Sequence, residues 1–235
     1  GVLERYGLPL QPRLVLYGVY ANDPADDANV QTRLARGLTA EELLVEQVAG
    51  NSPLYQVRQF FSRHSYLYRF LGYLYYSTGT EEAAQCTYEQ GDIRYTFDIG
   101  GWGKTLAFED PALEQGLQRV ANNIREAQQA VSATGAELVV VVFPAKEQLY
   151  PEYLAGPCDA ASLATRFEEF NLSIMDLCQQ ENLHCLDLGP AMLAEGLPEE
   201  PLYFNVDAHW TAAGNRFAAG IIREYLDSNG FLTVK

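Results

Sequence analysis

Basic side chains are scarce in this sequence. Only 16 Lys and Arg stand against 31 Asp and Glu in 235 residues, a formal net charge of -15. That imbalance opposes contact with phosphate backbones and anionic lipid surfaces, so nucleic acid is excluded as a partner. Cysteine is sparse too: Cys86, Cys158, Cys178 and Cys185 have neither the CxxC spacing of zinc and redox sites nor the density of a disulfide scaffold, which leaves the redox compartment open. No run of 18 uncharged apolar residues exists. The greasiest stretch, Leu54 to Tyr76, is broken by Arg58, Arg63, His64 and Arg69, and no membrane span is expected. No linker, internal repeat or low-complexity tract interrupts the chain, which favours one domain over residues 1–235. Nothing near Gly1 reads as a signal peptide.

What the chain holds in quantity is apolar and aromatic: 48% hydrophobic, with 15 Tyr and 11 Phe. That is enough to bury a core that offsets chain entropy, and it excludes disorder. Arg13 to Tyr20, Glu137 to Phe143 and Leu183 to Leu188 are short apolar runs that predict strands buried on both faces. Between them, Leu113, Leu117, Val120, Ile124 and Val131 predict a helix over Pro111 to Thr134. Asp110 is its cap and Gly135 its stop. Leu163, Phe167, Phe170, Ile174 and Leu177 predict another helix within Asp159 to Glu181, and a last one runs from Thr211 to Leu226. Strands alternating with helices make an α/β fold with a parallel sheet.

Earlier, Thr39 and Glu42 form a capping box, and Ser52-Pro53 opens an aromatic-rich helix through Tyr76. Residues 79–109 predict a hairpin turning at Gly100-Gly101. At the start, Leu3 to Gly7 reads as the last turn of a helix closed by a glycine, which implies sequence missing upstream.

In open α/β sheets, ligands bind beyond the carboxyl ends of the strands. The three strands end in Ala21-Asn22-Asp23, Pro144-Ala145-Lys146 and Gly189-Pro190, and the last leads to Asp207-Ala208-His209-Trp210. An imidazole two residues after a carboxylate, just before a helix, suits activation of a hydroxyl nucleophile. The carboxylate fixes the tautomer and stabilises the imidazolium. A strand-end Asn can donate to an oxyanion. His64 and His184 read as structural, the latter in a buried strand. Asp23, Asp26 and Asp27 lack the spacing of a calcium loop and read as a solvated acidic loop, so neither metal nor cofactor is expected.

These residues carry a family resemblance. Gly18 to Asp23 (GVYAND) resembles the GxND block of SGNH hydrolases, and Val206 to Asn215 (VDAHWTAAGN) resembles their Asp/His block in the DxHW form of alginate acetyltransferase-like members. Phe61 to Leu71 and Phe143 to Leu154 are similar to intervening segments of bacterial SGNH-like proteins. The resemblance implies a flavodoxin-like three-layer α/β fold with helices on both sheet faces. It also implies His209 as base, Asp207 as orienting acid and Asn22 in the oxyanion hole, with an extracytoplasmic location. Trp210, Trp102 and Lys146 are candidate substrate-binding residues. The implied activity is ester hydrolysis or O-acyl transfer on acyl esters, O-acetyl groups of a carbohydrate above all. The family's Gly-Asp-Ser block is absent. Asn22 comes too early for two preceding βα units of roughly 30 residues each, so the first units and the serine are expected to lie off this chain. Ser52, Ser62, Ser65, Ser77 and Ser228 sit in or near predicted helices and make poor nucleophiles. The competing expectation is a non-catalytic SGNH-like binding or scaffold protein. The unpaired edge of the first strand favours pairing with another chain.

Overall fold

The structure, a computed structural model, describes residues 2–35, 37, 85–90, 93–156 and 158–232. The capping box at Thr39, the aromatic helix through Tyr76, His64 and the four serines from Ser52 to Ser77 lie outside the described residues. The chain divides into two compact units, residues 1–27 with 84–235, and residues 28–83. Of the second, the structure describes the later turns of α1 (Asp23–Ala35), where the Thr32 hydroxyl donates to the Ala28 carbonyl at 3.0 Å.

The first unit holds the sheet. Strands β1 (Leu14–Val19), β4 (Glu137–Val142) and β5 (His184–Asp187) are parallel, in the order β1-β4-β5. The central strand is the valine-rich one, and everything after Glu137 is buried. Its side chains alternate between two cores, as the period of two requires. Val140 and Val142 meet α3 (Pro111–Ser132) and α6 (Ala161–Gln180) on one face. Val139 and Val141 meet α7 (Leu188–Glu195) and α8 (Ala212–Ser228) on the other. The layered α/β fold is therefore as the sequence predicts.

Burial of all three strands on both faces is not. In β1, Leu16 is 48% exposed and Gly18 is also exposed, because β1 has a strand on one side only among the described residues. His184, on the other flank, is exposed as well. Its ring meets the edge of Phe231 at 4.8 Å instead of sitting in a buried strand.

Helix α3 begins where Asp110 accepts the Ala112 N–H at 2.8 Å and Pro111 takes the first position. It buries Val120, Ile124, Ala127 and Val131, and Gly135 follows at φ +76°. In α6 the five predicted apolar residues are all buried. Three other expectations fail. The hairpin pairs β2 (Gln85–Gln90) with β3 (Ile93–Asp98) and reverses between Gln90 and Ile93. Gly100 and Gly101 instead lie inside α2 (Ile99–Thr105), because the Asp98 carboxylate accepts the Gly101 N–H at 2.9 Å and starts a helix there. Asp23 and Asp26 lie in the first turn of α1 and Asp27 just after it, not in a loop. The Tyr20 N–H donates to the Asp23 carboxylate at 2.8 Å, and Pro24 suits an early helical position. Leu3–Gly7 is a π turn that continues into a 3-10 turn at Leu8–Leu10. The left-handed residue closing it is Gln11 (φ 51°), not Gly7.

All four cysteines are paired, Cys86 with Cys158 and Cys178 with Cys185. The first joins β2 to the segment after α5 (Pro151–Ala155); the second joins the end of α6 to β5. Among the described residues no helix is long and apolar enough to cross a membrane.

Candidate functional site

The Asp-x-His spacing has a direct structural consequence. An aspartate favours a turn in which its carboxylate accepts the N–H two residues on. Asp207 Oδ1 accepts the His209 backbone N–H at 2.8 Å, and the same oxygen meets His209 Nδ1. One carboxylate oxygen thus fixes both the backbone and the ring. The bonds from His209, backbone first and ring second, hold the Asp207 carboxyl below its ordinary value, and the Lys146 charge adds to them. The pair stands in solvent, with the His209 side chain 86% exposed and that of Asp207 51% exposed.

The loop carrying the pair is closed at its base. Tyr203 and Trp210 form an antiparallel bridge, Phe204 N–H donates to the His209 carbonyl at 3.1 Å, and Thr211 N–H donates to the Leu202 carbonyl at 2.9 Å. Beyond it, the Thr211 hydroxyl caps α8 by accepting from Gly214 N–H. Trp210 serves the base of this loop, its ring 5.6 Å from Phe143 and 6.0 Å from Tyr203, while the Tyr203 hydroxyl donates to the Pro144 carbonyl at 2.6 Å.

Lys146 opens α4 (Lys146–Leu149) at the carboxyl end of β4, and it is 2% exposed. Its Nζ donates to the carbonyls of Asn205 and Asp207, each at 3.3 Å, and lies over the rings of Tyr95 and Phe97. The ammonium therefore grips the loop that carries Asp207. Burial pulls its pKa below the ordinary value, against the opposing charges of Glu147, Asp207 and Asp98. Asp207, His209 and Lys146 thus come together in one cluster.

Asn22 and Trp102 bond to other partners. The Asn22 amide donates to Asp26 at 2.9 Å at the end of β1. Trp102 is buried between Tyr20 (5.7 Å) and Phe167 (5.1 Å), and its indole N–H serves the carboxyl of Glu147, the neighbour of Lys146. The residue that sequence reasoning missed is Glu147, 2% exposed, with Oε1 accepting the Asp98 N–H at 3.2 Å and burial raising its pKa. A Lys-Glu pair after an apolar strand normally reads as a solvated helix start. The hairpin and the loop through Asn205 and Asp207, folding over the end of β4, bury both side chains. Among the described residues no group of three or more His, Cys, Asp or Glu is placed to hold a metal.

The family model of the SGNH hydrolase-like domain of acetyltransferase AlgX matches residues 105–234. A protein of Pseudomonas fluorescens named Probable alginate O-acetylase AlgJ is 31% identical over 112 residues, 47% of this chain and 26% of that protein. Its namesake in Pseudomonas syringae pv. tomato is 28% identical over 114 residues, 47% of this chain and 28% of that protein. That in Pseudomonas putida is 26% identical over 119 residues, 51% and 30% respectively. The matched region thus spans under a third of the length of these relatives. No solved structure matches significantly.

Proposed function

The chain belongs to the family of the SGNH hydrolase-like domain of acetyltransferase AlgX, and on that premise we propose that it is the Asp-His part of an esterase or O-acyltransferase acting on O-acetyl groups of a carbohydrate. The observation that carries the reading is the double hold of Asp207 on His209 at the sheet's carboxyl rim. A ring anchored through Nδ1 presents Nε2 as the base, and the adjacent carboxylate stabilises the imidazolium once a proton arrives.

In this reading a serine outside these 235 residues loses its proton to His209 Nε2 and attacks the acyl carbonyl. The tetrahedral oxyanion collapses, the sugar oxygen leaves with the proton from His209, and an acyl-enzyme remains. Water or a sugar hydroxyl, deprotonated by His209, then takes the acyl group, and the serine oxygen leaves with the proton returned by His209. Asn22 is the oxyanion donor: an amide has two N–H bonds, one of which goes to Asp26, and the other serves the oxyanion. Two disulfides using all four cysteines support an oxidising, extracytoplasmic compartment.

The test is fluorophosphonate labelling with peptide mapping, on the 235-residue protein and on the encoded full-length protein, beside p-nitrophenyl acetate turnover. The expected result is one labelled serine, outside these residues. His209→Ala should abolish the label and lower turnover by about 10² to 10⁴. A label inside the chain would overturn the placement of the serine. No label and no turnover in either protein would leave the scaffold reading standing.

A further inference from the structure

Two large apolar side chains stand in solvent on the loop that carries the Asp-His pair. Phe204 is 52% exposed and Val206 84% exposed, and among the described residues neither packs against either core. A single exposed apolar residue is ordinary. These two are adjacent to a candidate catalytic base and sit on backbone that is held in place. The Phe204 N–H donates to the His209 carbonyl at 3.1 Å. The Asn205 carbonyl accepts from the Thr96 N–H and from Lys146, and the Asp207 carbonyl accepts from Lys146. The chain is therefore tethered on both sides of Val206 while both apolar side chains face water, a preorganised surface rather than a loose one.

The bridge between Tyr203 and Trp210 sets the direction of Phe204. Residues opposite each other in an antiparallel pair share a face, and successive residues alternate faces. Tyr203 is buried and its ring meets that of Trp210, so Phe204 and His209, the next pair along, turn to the other side. Exposure agrees, since the His209 side chain stands in solvent like Phe204. An apolar ring is thus fixed beside the imidazole, on the side open to a substrate.

The size and setting of this patch choose the ligand. Two side chains set among Asn205, Asp207 and His209 are far too small for a protein partner, whose interface takes about 800 Å² on each side. An acetyl methyl would leave most of the ring in water. A pyranose matches: its C–H bonds make an apolar face that covers an aromatic ring, and its hydroxyls stay hydrated at the edge. Contact with C–H bonds is indifferent to a carboxylate elsewhere on the sugar, so neutral sugars and uronates both fit.

We infer that Phe204, with Val206 beside it, is the platform on which a pyranose ring of the substrate lies next to His209. The part of that sugar in acyl transfer rests on the proposed function. Its binding to Phe204 does not.

The experiment is saturation-transfer NMR on the 235-residue protein with the methyl glycosides of glucose, mannose and glucuronic acid, and with sorbitol, a polyol that has no ring face. At least one glycoside should take up saturation at its ring C–H protons with a millimolar Kd, and sorbitol should not. Phe204→Ala should weaken that binding about fivefold or more, and Phe204→Trp should keep it, in proteins whose melting temperatures match the wild type. Leu10→Ala removes a side chain that is 81% exposed ahead of the amino end of β1, and should leave glycoside binding unchanged. No saturable binding of any glycoside, sorbitol binding as tight as theirs, or binding that survives Phe204→Ala overturns the inference. Phe204-dependent glycoside binding, where the full-length protein neither labels nor turns over, would sink the enzyme reading alone. Labelling and turnover without Phe204-dependent binding would sink the platform alone.

Discussion

Replacing Lys146 with Met tests whether the loop bearing Asp207 and His209 is held by a single ammonium. Two bonds of 3.3 Å are lost, to the carbonyls of Asn205 and Asp207. The Asn205 carbonyl keeps a second donor, the Thr96 N–H at 2.8 Å, so the loss falls on Asp207. A hydrogen bond to a charged group contributes about 1.5 to 3 kcal/mol. The length of these bonds, and the desolvation that a methionine avoids, reduce the net loss to about 1 to 2 kcal/mol. For a chain of this size that is a fall in Tm of roughly 2 to 8 °C. Hydrogen exchange should also quicken at Phe204, whose N–H closes the loop onto His209, and stay unchanged at the β4 amides. The sign with pH follows from burial, which lowers the folded pKa of Lys146 below its ordinary 10.5. Between the folded value and 10.5 the unfolded chain binds more protons, so stability rises with pH across that window in the wild type and not in the Met variant. An unchanged Tm with unchanged exchange at Phe204 would refute the grip.

Further outcomes follow from the same geometry. Removing the Cys86–Cys158 bridge as a Ser pair opens a loop of 72 residues and should cost about 4 kcal/mol by chain entropy, against about 2 kcal/mol for Cys178–Cys185 at a separation of 7. Thermal melts of the two double variants that coincide would contradict this. Gly116→Ala should destabilise by about 1 to 3 kcal/mol, because the new Cβ would stand 2.0 Å from the Pro24 carbonyl oxygen, whereas Gly103→Ala meets open space and should be neutral or better. Asp207, whose folded pKa is lowered, contributes stability that is present above its ordinary 3.8 and lost as pH falls through the folded value. The pair is exposed, so the effect is small, about 0.5 kcal/mol, and Asp207→Asn should remove it from melts taken across that acid range.

What was legible in the sequence was whatever a periodic or local rule controls. The valine run of β4, the five buried residues of α6 and the Asp110-Pro111 start of α3 follow from spacing and capping within a few residues. The Asp207–His209 contact is legible for the same reason, since an aspartate reaches the N–H two residues on without help from elsewhere. Where a short polar residue competes between turn and helix start, local rules divide: Asp98 capped a helix and Asp23 opened one where a turn or loop was expected, and the glycines at 100–101 gave the wrong signal. Lys146 and Glu147 were illegible for a different reason. Nothing within ten residues says that they are buried. That comes from Thr96, Asp98, Asn205 and Asp207, some 50 to 60 residues away, folding over the end of β4. If this is why the site was half seen, the residues that tune it should be those bonded across long separations. The Tyr203 hydroxyl on Pro144, a bond across 59 residues, should then affect the rim more than an exposed pair such as Arg216–Glu200, 16 residues apart.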